Sequence, residues 1–353
     1  MSTKAKFQAI KGTRDLLPPE TALWNRVEQS AHEVFGTFGF GEIRLPIFEP
    51  TELFARSIGE DTDVVSKEMY SFPLRPTTAE LATDVLDMKP ESFTTGGEFV
   101  SLEEKREFEE RKKGESVSLR PEATASVCRA YIEHGMQQLP QPVKLYYMGP
   151  MFRRERPQKG RYRQFYQIGA EVLGGSDAPA IDAEVIEMVM VFFDRLELQG
   201  VQLDINSIGH SADNCRRGYV EKLKAALENV KDKLGPDSQR RIETNPLRVL
   251  DSKLESEQGI IATLPHIADH LCEDCAAHYA AVKHQLEMRG VIYRENWRLV
   301  RGLDYYMRTT FEITAQGLGS QNAVCGGGRY DGLVELLAGR QPRALALPSA
   351  KTA

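Results

Sequence analysis

The sequence has no long hydrophobic run. No stretch of its 353 residues approaches the roughly 20 apolar residues of a membrane span, and its first residues, MSTKAKFQAIKG, lack the apolar segment of a secretory signal. Cysteine is scarce, and five scattered cysteines do not make a secreted disulfide framework. We therefore expect a cytoplasmic protein that does not contact membranes.

A basic excess is also lacking, since 45 lysines and arginines face 51 acids for a net charge of −6. A protein that neutralises nucleic-acid phosphates needs a basic surface, so any such surface here must be local. Residues 153–163 supply one, with basic side chains at six positions and a single acid. Pro157 and Gly160 interrupt any helix there, which favours a basic loop over a solvated helical face.

Two familiar site motifs are incomplete. The glycine run after Cys325 lacks the spacing of a phosphate-binding P-loop. A single CxxC pair, Cys272 and Cys275, lies near three histidines whose spacing suits a helical face equally well: His266, His270 and His278. We therefore expect no zinc and no other resident metal.

The composition, with 41% hydrophobic and 27% charged residues, is that of a globular protein. Helical periodicity marks residues 18–39, 182–196 and the whole of 211–289. Strand-like runs lie at residues 42–46, 143–148, 165–173, 201–208, 291–300, 305–314 and 322–326. Strands on either side of a helical block predict an α+β domain, with a largely antiparallel sheet flanked by helices and interrupted by a helical insertion subdomain.

These patterns divide the chain into six parts: residues 1–72, 73–116, 117–210, 211–289, 290–339 and 340–353. The second is rich in threonine, serine and glutamate, and we predict a solvated, charged insertion. The last, RQPRALALPSAKTA, has the period of neither strand nor helix, and we expect it to pack loosely.

Three polar clusters border the β-rich runs. The first, LRPEAT at residues 119–124, is also typical of an ordinary helix start. The second is GPMFRRERPQKGRYRQFYQIGAEVLG, whose arginines can grip triphosphate oxygens bidentately. The third comprises LVRGLDYY and CGGGRYDGL, where glycines alone would indicate only a turn.

Alternation along the strand in the second cluster puts an aromatic ring, an amide and a carboxylate on one face, from Phe165, Gln167 and Glu171. Buried amide and carboxylate groups are costly unless something polar binds there, with a structural ion-pair network as the alternative.

Together these segments resemble the class II histidyl-tRNA synthetase family. The resemblance rests on KGTRDLLPPE, on LPIFEPTELFARSIGEDTDVVSKEMY (motif 1), on LRPEAT, on the arginine-rich motif 2 and on two histidine-specific signatures, LVRGLDYY and CGGGRYDGL. It extends over residues 11–339 apart from 73–116. The resemblance implies activation of L-histidine by ATP and transfer of histidine to tRNA(His), with Mg²⁺ arriving on ATP.

The resemblance also implies roles for individual residues. Arg153 and Arg301 would be catalytic, holding the α-phosphate from two sides. Arg153 would bind ATP together with Glu155 at the adenine amino group, Arg161, and Phe165 stacked on the ring. The implied histidine ligands are Glu122, Thr124 and Gln167 at the α-amino group, Glu171 and Tyr306 at the imidazole nitrogens, and Tyr305 and Tyr330 as pocket lining. The implied tRNA contacts are Arg156, Gln158 and Lys159.

In class II synthetases motif 1 forms a two-fold interface, so the resemblance implies a homodimer through residues 45–70. We expect Leu53, Phe54 and Ile58 to be exposed in the single chain and covered by the partner.

Three features depart from the family pattern: the 73–116 insertion, the sequence after Gly339 where motif 3 would stand, and no anticodon-binding domain after it. They point to a fragment, a frame-shifted product or a degenerate paralogue. Two alternatives follow, namely the non-catalytic synthetase-like regulatory subunit of ATP phosphoribosyltransferase and a tRNA-binding module without catalysis. Arg301, Tyr305, Tyr306 and Glu122 weigh against the regulator, because a regulator needs no phosphate-gripping arginine.

Overall fold

The computed structural model describes residues 7–59, 62–77, 80, 106, 113–157, 161–303, 305–316, 322–339 and 350–352. Its helices are α1 (Glu20–Thr37), α2 (Thr51–Ile58), α3 (Thr124–Glu133), α4 (Pro179–Arg195), α5 (Arg216–Glu228), α6 (Pro236–Thr244), α7 (Glu255–Ile261), α8 (Glu273–Met288) and α9 (Leu333–Leu337). Its strands are β1 (Gly41–Glu42), β2 (Phe48–Pro50), β3 (Tyr70–Leu74), β4 (Glu115–Leu119), β5 (Val143–Phe152), β6 (Gln164–Leu173), β7 (Gln202–Ser207), β8 (Arg294–Glu295), β9 (Met307–Thr314), β10 (Ala323–Arg329) and β11 (Ala350–Thr352).

Eight of the described strands form one sheet in the order β1-β5-β6-β11-β10-β9-β7-β8. Two short edge strands, β1 and β8, pair in parallel with their neighbours, and the other pairs are antiparallel. The predicted α+β class with a largely antiparallel sheet is therefore confirmed. No helix in the described part of the chain is long and apolar enough to cross a membrane.

Helices α1, α4 and α8 pack on the sheet and share its main hydrophobic core. Helix α4 is apolar along its buried side, with Val185, Ile186 and Val189 among strand side chains such as Phe311. Such a row at helical spacing is what the sequence predicted for residues 182–196. These helices cover one face of the sheet, and α3 and α9 pack against the other.

The segment 211–289 is helical, as the sequence predicted, and its helices α5 to α7 have their own core around Tyr219, Leu223 and Ile242. Val300 and Tyr306 from the flanking segments pack into this core. The subdomain is thus attached to the sheet region by apolar contact as well as by the chain. Helix α8 differs from the prediction, because its side chains belong to the main core beneath the sheet.

Three predictions about strands were wrong. The strand expected at residues 42–46 is present only at Gly41–Glu42. Residues 291–300 form a strand only at Arg294–Glu295, since Ile292 is 84% exposed at one end and Leu299 is buried in irregular chain at the other. The last fourteen residues were given no strand, yet Ala350–Thr352 pairs antiparallel with both β6 and β10. Residues 340–349 and 353 lie outside the described residues, so the loose packing expected of them stays a prediction.

Strands β2, β4 and β3 form a second, three-stranded sheet. Pro73 and Leu74 extend β3, and β4 begins at Glu115, so both ends of the 73–116 segment are strand. Most of its interior lies outside the described residues, and the predicted solvated insertion remains a prediction there.

Candidate active site

The site is built on the face shared by β5 and β6. Their antiparallel register sets Tyr147 opposite Gly169, Gly149 opposite Gln167, and Met151 opposite Phe165. Directly opposed residues point to the same side, so the predicted face of β6 continues onto β5. A Cβ at position 169 would lie 2.2 Å from the Tyr147 hydroxyl, so this glycine makes room for the buried phenol.

Glu171 lies at the deep end of this face and is 1% exposed. Its Oε1 accepts a hydrogen bond from Thr124 Oγ1 at 2.8 Å, and its Oε2 accepts one from the Tyr330 hydroxyl. Burial raises the pKa of the Glu171 carboxyl well above its usual range, although the two hydroxyl donors act in the opposite direction. A buried acceptor of this kind suits a ligand that brings an N–H donor.

Glu122 is buried beside the first turn of α3. Its Oε2 accepts from the Thr124 backbone N–H at 2.7 Å and its Oε1 from that of Ala125 at 3.1 Å. The carboxylate thus caps the helix from a position before it, whereas the helix-start interpretation of LRPEAT put Glu122 in the first turn with Thr124 as the cap. Burial raises the pKa of Glu122, while these backbone donors and Arg153 lower it. The same placement also brings Glu122 near Glu171.

Three tyrosines from the histidine-specific segments line this region. The Tyr305 ring lies 4.7 Å from that of Tyr306 and meets that of Tyr330 edge-on at 5.5 Å. Tyr306 and Tyr330 are buried, at 5% and 0% exposure. The structure therefore brings together most of the proposed histidine ligands.

Arg153 lies where β5 ends, with its guanidinium 5.2 Å from the centroid of the Phe165 ring. Its Nε donates to the Pro121 carbonyl at 2.9 Å, which links motif 2 to the start of α3. Arg161 Nη1 and Glu155 Oε2 form an ion pair at 3.2 Å. The residues predicted to hold ATP are thus neighbours, and the face of Phe165 is shared with the cation.

Arg301 lies on the β9–β10 side of the sheet. Its Nη1 pairs with Glu312 Oε2 at 3.1 Å, and its guanidinium lies 5.8 Å from the Tyr306 ring centroid. A Cβ at Gly326 would come within 2.4 Å of Arg301 Nη2, so the glycine run makes room for this arginine.

Two polar atoms in the site, Gln167 Oε1 and Arg301 Nε, are buried and have no hydrogen-bond partner among the described residues. Unsatisfied buried polar atoms indicate a place for a polar ligand. A cavity of about 240 Å³ reaches Gln167 and Gly326 from the helix-covered face of the sheet, where Phe35 and Val189 line it.

Only part of the basic loop lies within the described residues. Arg156 is exposed, whereas Gln158 and Lys159 lie outside the described residues. The loop meets the N-terminal segment, because the Arg163 backbone N–H donates to the Gly12 carbonyl at 2.7 Å. A Cβ at Gly12 would lie 2.8 Å from Arg163 Cγ, which explains the glycine in KGTRD.

Sequence reasoning missed Tyr147 and Arg120. Arg120 is buried and donates to the carbonyls of Pro150, Leu45 and Pro46, which fixes the LRPEAT loop against motif 1 and β5. An arginine before a proline gave no local signal of that role. The strand alternation gave a signal for Tyr147 only once the register with β6 was known.

The cysteines also differ from expectation. His266 stacks on Trp297 at 3.8 Å and His270 lies beside Lys222, so neither joins the CxxC pair. Two residues that the sequence did not link, His210 and Cys215, lie there instead. Among the described residues, the histidine beside the CxxC pair is therefore His210 and not one of those nearest to it in sequence.

Comparison with known proteins decides the family. The sequence model described as Histidyl-tRNA synthetase matches residues 90–347. The histidine–tRNA ligase of Solibacter usitatus is 53% identical over 334 residues, covering 95% of this chain and 71% of the relative. That of Koribacter versatilis is 52% identical over 337 residues, covering 94% and 69%. The chain belongs to the histidyl-tRNA synthetase family.

Solved structures agree with this membership. Apo histidyl-tRNA synthetase from S. aureus superposes with a TM-score of 0.66 at 35% identity, over 98% of this chain and 70% of that one. An ATP phosphoribosyltransferase regulatory subunit/histidyl-tRNA synthetase from Bacillus halodurans gives 0.61 at 19% identity, over 99% and 81%. At that identity the second likeness shows the fold alone, so it does not favour the regulatory alternative over the synthetase family.

Proposed function

We propose that this chain, a histidine–tRNA ligase by its family, activates L-histidine with ATP on the β5–β6 face and transfers it to tRNA(His). The observation that carries the proposal is the buried arrangement of Glu171, Thr124 and Tyr330 beside Tyr305 and Tyr306. It offers a buried carboxyl group and phenolic groups in an apolar setting, which matches an imidazole with two ring nitrogens. A ligand without ring nitrogens would leave these buried groups unpaired.

In this account Glu171 and Tyr306 bind the two imidazole nitrogens, and Tyr305 and Tyr330 line the ring. The α-amino group binds at Glu122, Thr124 and Gln167. Support for Gln167 comes from its buried Oε1, which has no partner among the described residues and therefore accepts readily from an ammonium group.

Arg153 and Arg301 bind the α-phosphate in the first step. A histidine carboxylate oxygen attacks the α-phosphorus, a P–O bond forms, and the bond to the pyrophosphate oxygen breaks, with its electron pair leaving on pyrophosphate. The two guanidinium groups neutralise the charge that develops on the phosphoryl oxygens. They also hold the phosphoryl group in line with the attacking and leaving oxygens. In the second step a terminal ribose hydroxyl of tRNA attacks the carbonyl carbon, and AMP leaves.

Adenine would stack on Phe165 opposite Arg153, with Glu155 accepting from the amino group and Arg161 bearing on the phosphates. The cation–ring contact at 5.2 Å supports this, because it already holds Phe165 in place. Mg²⁺ would arrive on the ATP phosphates and supply further charge neutralisation. The Glu312 carboxylate beside Arg301 fits it as an oxygen donor.

The acceptor end of tRNA would lie along the basic loop at Arg156, Gln158 and Lys159. An exposed cation there attracts the tRNA phosphates whatever the nucleotide sequence. It therefore suits a contact with the tRNA backbone. We assign this work to the cytoplasm, where the five free cysteines remain reduced.

We further propose a homodimer, but on different residues from those the sequence indicated. Phe54 and Ile58 are fully buried within the chain, so they are not the exposed surface we expected, and Leu53 is partly buried. Two exposed aromatic side chains lie instead on the three-stranded sheet, where Phe48 and Phe72 are 49% and 42% exposed. Their register puts both on one face, which a second copy can cover.

Charging of tRNA(His) with labelled histidine tests the proposal. We expect ATP-dependent formation of histidyl-tRNA, and no charging when histidine is replaced by phenylalanine. ATP-independent binding of tRNA with no aminoacylation would contradict it and favour the non-catalytic module.

A further inference from the structure

Four metal-binding side chains meet where the helical subdomain joins the sheet. His210 follows β7, Cys215 precedes α5, and Cys272 and Cys275 are at the start of α8. One ligand atom from each lies within 4.8 Å of every other. Cys215 and Cys275 are buried, at 1% and 0% exposure. The segments are remote in sequence, so their convergence is a property of the fold.

The distances approach those of a tetrahedral zinc site. Zn–S bonds of about 2.3 Å and Zn–N bonds of about 2.0 Å set the S···N separations at roughly 3.5 Å. His210 Nδ1 lies 3.6 Å from Cys272 Sγ and 3.1 Å from Cys275 Sγ. These two separations lie within about half an ångström of the ideal S···N value. We propose that His210, Cys215, Cys272 and Cys275 bind one structural Zn²⁺.

The helix geometry brings two of the sulfurs together. Cys272 is the N-cap of α8 and Cys275 lies in its first turn, so both are at the N-terminal end of that helix. Three thiolates, one neutral imidazole and Zn²⁺ leave a net charge of −1. The Arg308 guanidinium lies beside Cys275 and pairs with Asp177 at 3.0 Å, so a cation is already in position to offset that charge.

The competing interpretation is a cluster of reduced cysteines that only pack together. Buried cysteines are common as small apolar residues, and all five here are free. A packing cluster needs no imidazole, however, and the two short Nδ1···Sγ distances aim one ring nitrogen at two sulfurs. Four soft donors with no fifth ligand position is the set that structural zinc sites use.

The ion would join the exit of β7 to the first turns of α5 and α8. Arg216, next to Cys215, donates from Nη1 to the Tyr306 carbonyl at 2.6 Å. The metal would thus also restrain the segment that carries the proposed imidazole contact. It lies outside the reacting groups, so its role is structural, and metal content measures it independently of ligase activity.

Metal analysis of the full chain, purified without a histidine tag, tests the proposal. We expect one zinc per chain that survives dialysis. Replacement by Co²⁺ should give thiolate charge-transfer bands and the intense visible bands of tetrahedral cobalt. The double variant Cys272→Ser/Cys275→Ser should lose the metal, whereas Cys325→Ser, which changes a cysteine outside the cluster, should keep it.

A variant that retains four ligands guards against simple misfolding. His210→Cys should still bind one metal ion, and its cobalt bands should move to longer wavelength as one nitrogen becomes sulfur. His210→Ala should bind more weakly, by roughly 10-fold or more, in a competition with a chelator. Absence of both zinc and cobalt bands in the folded wild-type chain would overturn the proposal, as would zinc retained by the double cysteine variant.

Discussion

Replacing Glu171 by glutamine changes one buried oxygen acceptor to an amide donor. The size of the side chain hardly changes. In the wild-type chain both carboxylate oxygens already accept, one from Thr124 Oγ1 and one from the Tyr330 hydroxyl. Both hydroxyl groups can rotate to accept from the new amide, so we expect the fold to persist. The charge that would meet the imidazole N–H is lost.

The magnitude follows from burial. A hydrogen bond to a charged group, lost where water cannot replace it, costs about 2–4 kcal/mol. Because about 1.4 kcal/mol corresponds to a tenfold change, kcat/KM for histidine activation should fall by roughly 30- to 700-fold. The loss should appear with histidine as the varied substrate and leave KM for ATP nearly unchanged, because Phe165 and Arg153 are untouched.

The assay is ATP–pyrophosphate exchange at varied histidine. Glu295→Gln is the matched control, because it makes the same change on exposed β8, where Glu295 pairs only loosely with Lys283 at 3.1 Å. It should leave both KM values as in the wild type. An unchanged KM and rate for histidine in Glu171→Gln would refute the assignment of Glu171 as an imidazole ligand.

Further predictions concern the arginines, the dimer and pH. Arg153→Ala and Arg301→Ala should each lower the exchange rate by about 100-fold or more, and Arg301→Lys should recover only part, as measured by single-turnover adenylate formation; wild-type rates would contradict this. Phe72→Asp should convert the dimer to monomer in sedimentation at micromolar concentration, whereas Val191→Asp, at another exposed apolar position, should not. The folded pKa of Glu171 is raised above its ordinary 4.5, so its contribution to stability is greatest below pH 4.5 and is lost as pH rises through the folded pKa. Thermal unfolding should therefore show a smaller decline above pH 4.5 in Glu171→Gln than in the wild type; equal declines would count against a raised pKa.

Much of the site could be predicted because β-strand periodicity is local. The alternation of Phe165, Gln167, Gly169 and Glu171 needs only the period of two to place them on one face, and the register bears this out. The helix start at LRPEAT was equally local. The two interpretations of it are compatible, since Glu122 accepts from the first backbone N–H groups of α3 and its role as a histidine ligand stays a prediction.

What escaped prediction depends on contacts between distant segments. His210 and Cys215 meet the CxxC pair only because α8 packs beneath the sheet, and no periodicity reports that. Residues 291–300 have strand propensity, but they connect α8 to the site and leave most of their length irregular. Tertiary packing overrides propensity in such segments.

The most direct test of the central claim is histidine-dependent ATP–pyrophosphate exchange by the purified chain. The account predicts exchange with L-histidine and a background level with phenylalanine or glutamine, which lack the paired ring nitrogens. Absence of exchange, or exchange of equal rate with phenylalanine, would contradict a histidine-activating site built on Glu171 and its hydroxyl partners.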